Sequence, residues 1–572
     1  MNRAGLIFFC ALVSCAIAGA ESPGAVERRD VPAGEATQLR SMRVPDTVAP
    51  EGTKRAAESR YAWLMAEQVL EGVGQPLVIE LTARELADLE DGGCEGCSLE
   101  PNRLRVGIAK QVFAEVAAES SAWGASAPTP DGGRVWSAAV LSEGAAGVRL
   151  HFGGFRLPAN SELYLFNQSG GSVGPYTGDG PSGTGEFWSN MISGDTVYLQ
   201  LRRYGPAGSQ EREQESSVVL LGVGHVGSRF GSRTADTKAF CDHNASCIVN
   251  MSCVEAPAAV DDAQDAVAHM LFVDEPYLYA CSGGLINNTA EDGTPYFLTA
   301  NHCLSTNVVA ATLEAFFKWS VECGATCPEQ WGTPIDAVPV LGASVVATNP
   351  VGDYTLLRLD GETAPPGTAL LGWNSGPVAF SDGTPLYRVS HPAGAPQAYS
   401  EHRVDADART CLTWPRGSRI YSRDVVGATE GGSSGAPVVN ANGQVVGQLS
   451  GACGLLAWLP CLRAWHSTVD GAFASYFTEV APWLAPPGGC NDDVDGDGFI
   501  AVECGGDDCD DDEFFINPGV DEECGNGIDD NCNLAVDDED PECAICLPAG
   551  AACTRSTDCC SRWCRWFGRT CR

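Results

Sequence analysis

From Trp136 onward the sequence breaks into short runs in which apolar and polar residues alternate, separated by Gly, Asn, Ser and Pro. Val148-Arg149-Leu150-His151-Phe152, Glu162-Leu163-Tyr164-Leu165-Phe166 and Val197-Tyr198-Leu199-Gln200-Leu201 are examples. Successive side chains of a strand point to opposite faces, so a period of two gives one buried and one solvated face. The pattern predicts a mostly β chain, with a β-sandwich-like unit over residues 61–237 and further strands and turns over residues 238–487. A chain of 572 residues is too long for one hydrophobic core, and about three folded units are expected.

Arg3, the apolar stretch from Leu6 to Val13 and Ala18-Gly19-Ala20 form an export signal over residues 1–20. The apolar stretch is too short to span a membrane. Leu12-Val13-Ser14-Cys15 is a second candidate cleavage site, resembling a lipobox. The protein is therefore expected outside the cell, either released or lipid-anchored at the cell surface through Cys15. The 26 cysteines, 24 of them beyond Cys10 and Cys15, fit an oxidising compartment and disulfide bonds. Residues 21–60 are expected to be a poorly ordered leader, and Tyr61 to Leu70 a short helix. Cys94 and Cys97, in a Gly-rich loop, suit a local disulfide better than a redox or zinc site. Gly224 to Lys238 is polar, Gly-rich and basic, and Arg229, Arg233 and Lys238 make it a cleavable linker. Residues 61–237 then serve as a removable pro-domain; a permanent binding domain is the other reading.

The formal net charge of −39 argues against a nucleic-acid partner, because phosphate binding requires clustered Lys and Arg. The acidity is concentrated. Between Asp492 and Glu542 there are 21 Asp and Glu and no Lys or Arg, which leaves −18 for the rest of the chain.

Three segments carry candidate chemistry. In Gly431-Gly432-Ser433-Ser434-Gly435-Ala436-Pro437, glycines precede a serine and the sequence continues as a strand, an Asn-Gly turn and a second strand. A serine hydroxyl is a weak nucleophile that needs a base beside it and backbone N–H groups aimed at the developing oxyanion. Tyr296-Phe297-Leu298-Thr299-Ala300-Asn301-His302-Cys303 is an apolar strand ending on one of only eight histidines. Gly352-Asp353-Tyr354-Thr355-Leu356-Leu357 places an acid directly before a strand; a buried carboxylate there would orient the imidazole. Alone, each is an ordinary turn or strand end. Together, His302, Asp353 and Ser434 follow one of the known orders of the catalytic triad.

With Cys281-Ser282-Gly283-Gly284-Leu285-Ile286, Gly372-Trp373, His391-Pro392 and Gly427-Ala428-Thr429-Glu430 added, residues 240–487 resemble the trypsin-like serine proteases, in particular the bacterial lysyl endopeptidases. The resemblance implies two six-stranded antiparallel barrels with the triad between them. It also implies an oxyanion hole from the N–H groups of Gly432 and Ser434, and a substrate-binding strand at Ser450 and Gly451. Ser433 stands where trypsin-type enzymes carry an aspartate that binds a freed N-terminus, so that switch is expected to be missing. The pocket acid of the lysine-specific enzymes aligns with Thr468; Asp470 could supply the charge from a shifted position, and the residue preferred before the cleaved bond (P1) stays open. A Cys281–Cys303 disulfide is expected to pin the histidine loop. The family further suggests that Cys247 reaches the Cys453/Cys461 region and Cys253 reaches Cys323 or Cys327. The chain is thus expected to be a monomeric serine endopeptidase acting on proteins or peptides, made as a zymogen, with no cofactor for catalysis. The alternative is a non-catalytic surface adhesion protein with a protease-like domain.

Residues 488–545 form a disulfide-rich acidic segment. Asp493, Asp495 and Asp497 make the first half of a calcium loop, D-x-D-x-D-G, which fails at Cys504 where a glutamate is expected. Asp529, Asn531, Asn533, Asp537 and Asp540 are a second array of oxygen ligands. The stretch resembles thrombospondin type 3 calcium repeats, and calcium is expected there. Residues 546–572, with six cysteines spaced C-x6-C-x5-C-C-x3-C-x6-C, resemble small cystine-knot proteins, in which disulfides replace a core too small to fold alone.

Overall fold

The computed structural model describes residues 37–45, 75–90, 103–116, 123–129, 132–205, 217–227, 244–324, 338–457 and 459–486, and scattered positions between 499 and 536. The expected helix at Tyr61 to Leu70, the Cys94/Cys97 pair, the first calcium loop and the terminal knot lie outside the described residues.

The alternating runs are strands of a sandwich. One sheet orders Leu77–Val78, Arg134–Leu141, Thr196–Arg203, Ser161–Phe166 and Ser172–Tyr176, with Gly124–Pro128 at its side. The facing sheet holds Leu104–Glu115, Ser217–Val226 and Gly147–Arg156, edged by Phe187–Trp188 and Ile192–Ser193. Between them pack Phe152, Phe155, Leu163, Leu165 and Leu199. Strand Ser217–Val226 includes Gly224, His225 and Val226, so the basic linker starts later than the composition suggested.

Two barrels follow. In the first, Val267–Asp274, Tyr277–Leu285, Tyr296–Thr299 and Tyr354–Leu359 pair in turn, and Ala343–Asn349 pairs with the last of them. The ring closes because the chain turns a corner at Gly342 (φ 79°) and Val338–Leu341 pairs with Glu314–Phe317, which returns to the first strand. The left-handed φ at this corner suits a residue with no Cβ. The second barrel is a closed ring of Pro385–Ser390, Ala398–Val404, Arg419–Val426, His466–Ala472, Val445–Gly454 and Pro437–Val439. Helix Phe473–Leu484 buries Phe473, Tyr476, Val480 and Leu484 against the core the barrels share.

The sandwich and first barrel are joined through their sheets. Strand Leu104–Glu115 pairs antiparallel with Tyr277–Leu285, and Val106, Trp188, Met191 and Val226 share one apolar cluster with Leu271, Leu278, Phe316 and Trp319. Arg149 occupies a polar place in the alternation, yet it is fully buried, because the barrel covers the second face of its sheet. Its guanidinium lies 3.6 Å from Glu314 and donates to the carbonyls of Ser189 and Thr312. Glu314 also accepts from Asn190 and from the Met191 amide. The pair is thus buried by the contact between the two units, and removing one partner while the other stays enclosed typically costs about 3–5 kcal/mol.

Against the expectation of a poorly ordered leader, Met42–Arg43 forms a strand that pairs with Ala369–Leu370 in the connector between the barrels.

Candidate active site

Strands Tyr296–Thr299 and Tyr354–Leu359 are antiparallel neighbours with Thr299 opposite Thr355, so the turns that hold His302 and Asp353 emerge at the same end of the first barrel. His302 Nδ1 lies 3.0 Å from both carboxylate oxygens of Asp353, and the His302 amide donates to Oδ1 at 3.0 Å. Burial raises the pKa of Asp353, but the charge and hydrogen bonds of His302 outweigh it, so the net shift is downward. A carboxylate held ionised against Nδ1 favours the tautomer with the proton on Nδ1 and the lone pair on Nε2.

Asp353 has φ 52°, an uncommon backbone conformation for a side chain of its kind. Gln448, fully buried, holds it there: its Nε2 donates to the carbonyls of Asp353 (2.9 Å) and Gly352 (3.3 Å), and its Oε1 accepts from the Tyr476 hydroxyl. Ser450, two positions further along the same strand, is also fully buried.

Ser434 lies in the loop entering strand Pro437–Val439. The Ser282 amide donates to Ser434 O at 2.8 Å, and the Ser282 hydroxyl to Gly432 O at 2.8 Å. Gly432 has φ 94°, and a Cβ there would lie 2.8 Å from His391 O, so both the conformation and the space call for glycine. Among the described residues, the amides of Gly432 and Ser434 donate to no backbone carbonyl. The Cys281–Cys303 disulfide is formed. The Cys303 sulfur lies 4.0 Å from His302 Nε2 and 3.7 Å from Ser434 O, which brings the two loops together. Among the described residues no hydrogen bond joins the Ser434 hydroxyl to the imidazole. Such bonds are often long before substrate is bound. Ser433 is buried, and its hydroxyl accepts from Ser390 at 3.1 Å.

Asp470, read as a residue that could supply a pocket charge, has a partner inside the protein. It is fully enclosed in the second barrel and bonded to Arg388, which also lies 3.1 Å from His402 Nε2. Its charge is therefore answered within the protein, and it does not stand as a free acid in a pocket. Asp424, which sequence reasoning passed over, accepts from Thr468 Oγ1 at 2.6 Å through Oδ1 and lies 2.9 Å from His402 Nδ1. Gly451, with φ 152°, follows Ser450 on strand Val445–Gly454.

Further disulfides join Cys247 to Cys461 and Cys253 to Cys323, within the ranges the resemblance gave, and Cys411 to Cys453, which was not anticipated. In the acidic segment Cys509 pairs with Cys532. Nearby, the Asn533 amide donates to the side chains of Asp529 and Asn531. Asp537 and Asp540 lie outside the described residues, and among those described no three metal-binding side chains converge.

A double barrel with a buried His–Asp couple beside a glycine-lined serine loop is the framework of a protease. The family model described as lysyl endopeptidase, C-terminal domain, matches residues 241–455, and that of the lysyl endopeptidase N-terminal domain matches residues 78–218. The chain is 27% identical over 380 residues to a lysyl endopeptidase of Pseudomonas aeruginosa, covering 63% of this chain and 77% of that one. This chain is a protease related to the lysyl endopeptidases, in its sandwich as well as its barrels. Among solved structures, the active form of the Rv3671c protease from M. tuberculosis is 16% identical, with a TM-score of 0.27 over 44% of this chain and 93% of that one. The HtrA-type protease AlgW with tripeptide is 17% identical, with a TM-score of 0.28 over 39% of this chain and 62% of that one. These two likenesses are faint, and the family relation does not depend on them.

Proposed function

We propose that the protein is an exported serine endopeptidase in which Ser434 attacks the peptide carbonyl and His302 takes the hydroxyl proton. His302 then returns a proton to the leaving amine, while Asp353 steadies the imidazolium. The amides of Gly432 and Ser434 receive the oxyanion, and Ser450-Gly451 pairs with the substrate backbone. The observation that carries this reading is the His302–Asp353 couple, with 3.0 Å contacts and a depressed carboxylate pKa, set beside a serine loop tied to the neighbouring strand by Ser282. No cofactor enters this chemistry. A basic P1 residue needs an unneutralised acid in the pocket; Asp470 is bonded to Arg388 and Asp424 to Thr468 and His402, so the P1 preference stays open.

The test is labelling with a serine-directed phosphonate, followed by cleavage-site profiling on a peptide library. Labelling of the processed protein and none of Ser434→Ala is expected. Absence of labelling in both would favour a binding protein that no longer cuts. The export signal supports release or lipid anchoring at Cys15, and no helix among the described residues is long and apolar enough to cross a membrane. The sandwich is read as a pro-domain of a zymogen whose basic linker is cut, and the density of carboxylates over residues 492–542 supports calcium in the acidic segment.

A further inference from the structure

The leader strand occupies a site of its own on the protease. Met42 and Arg43 pair antiparallel with Leu370 and Ala369, and Gln38 bridges to Asn374. Backbone bonds run from Leu39 N to Trp373 O (2.9 Å), Val44 N to Thr368 O (2.9 Å), Gly367 N to Val44 O (3.1 Å) and Ser375 N to Thr37 O (3.1 Å). Side chains of the protease complete the grip: Asn287 donates to Arg40 O and Gln444 to Leu39 O, and the Gly372 amide donates to the Ser41 hydroxyl. Arg43 reaches Asp262 (2.7 Å) and Asp265 (3.1 Å), while Leu39, Met42 and Val44 pack against the core of the barrels.

Gly372 shows that the acceptor is shaped for this strand. A Cβ on Gly372 would have three leader atoms as its nearest neighbours, Leu39 O at 2.3 Å, Arg40 C at 2.5 Å and Ser41 N at 2.7 Å. Gly372 has no left-handed backbone conformation to explain the glycine. The closest obstacles to a side chain there all belong to the leader.

We infer that the connector from residue 367 to residue 375 is a strand-acceptor site whose partner is residues 37–44 of the same chain. The leader is held on the protease by its own contacts, independently of the peptide that leads on to the sandwich. Strand addition of this kind draws affinity from main-chain bonds and selectivity from the pockets for alternate side chains. A cut between residues 46 and 74, or in the basic linker, therefore leaves the N-terminal segment attached, and any anchor at its start stays with the protease.

The experiment uses the full-length chain carrying Ser434→Ala, with the recognition sequence of a site-specific viral protease placed within residues 50–58. After cutting, gel filtration and mass spectrometry read whether the leader fragment travels with the remainder. Co-elution is expected for the parent, and loss of the fragment for Gly372→Ala, whose methyl group takes the strand's place. Leu39→Pro removes the donor to Trp373 O and lies in the leader, so it is expected to release the fragment without touching the fold of the protease. A fragment that elutes alone from the parent overturns the inference, as does one retained by both variants.

Discussion

The first barrel encloses apolar side chains such as Met270, Phe272, Phe297, Leu356 and Leu357, and sets the polar couple His302 and Asp353 at the rim. The second barrel does the reverse with its charges. Arg388, Asp470 and His402 are wholly enclosed, with Asp424 at their edge. Asp353 and Asp470 are therefore both buried carboxylates next to a base, yet their environments push them opposite ways. His302 and its hydrogen bonds draw Asp353 down, whereas burial dominates at Asp470 and raises its pKa despite Arg388. The difference is one of access. His302 stays partly exposed, with its Nε2 beside the Cys303 sulfur that also contacts the serine loop, while Arg388, Asp470 and His402 are fully enclosed. Burial beside a base marks a candidate for catalysis only when the base has somewhere to deliver its proton.

The comparison breaks most sharply under substitution of the two acids. Asp353→Asn keeps the shape but loses the charge that fixes the imidazole, and kcat is expected to fall by ~10⁴ with a modest drop in melting temperature at neutral pH. A steady-state assay on a peptide ester, beside a thermal melt, checks this; activity within tenfold of the parent would remove Asp353 from the mechanism. Asp470→Asn is expected to do the opposite. It leaves Arg388 buried without a counter-charge, so stability should fall by about 3–5 kcal/mol, read by denaturant unfolding. P1 preference, profiled on whatever folds, should not move. The double replacement Arg388→Met with Asp470→Leu is expected to recover much of the loss, since well-packed apolar side chains often match a buried ion pair. A change of P1 preference in Asp470→Asn would return that residue to the pocket.

The β class was legible because period-two alternation is written locally in the chain, and the strands at 147–156, 161–166 and 196–203 lie where it put them. His302 and Asp353 were legible because each stands at the end of an apolar strand, and pairing of those strands brings the turns together. What could not be read were partners distant in sequence. Nothing near Asp470 announces Arg388, 82 positions away, and the alternation makes Arg149 a surface residue unless a second layer is known to cover it. The leader misled for the same reason. Pro, Gly and Arg describe a segment that cannot fold alone, not one that completes an edge elsewhere. Gln448 lies two positions before Ser450, and its hold on the Asp353 turn depends on a register that composition does not carry.

A third and smaller effect separates packing of neutral groups from pairing of charged ones. His391, just past strand Pro385–Ser390, is buried, stacks on Trp319 at 5.7 Å between ring centres and lies 2.8 Å from Ala395 O through Nδ1. Burial pushes its pKa down to about 4 from 6.5, and His269, packed against both rings, is depressed further by burial and by His391. A depressed folded-state pKa means that the unfolded chain takes up the proton first. The stability these rings contribute is whole above about pH 6.5 and is lost as pH falls towards 4, by about 3 kcal/mol for His391. Asp353, depressed below 3.8, keeps its contribution through that window and loses it only under stronger acid. The melting temperature should therefore fall in two stages, the first accompanied by a change in tryptophan emission from the Trp319 stack. His391→Phe should flatten the first stage, and Asp353→Asn only the second. A melting temperature unchanged from pH 6.5 to 4 would mean that these imidazoles reach water in the folded protein, and that the loop behind Gly432 is less enclosed than its contacts imply.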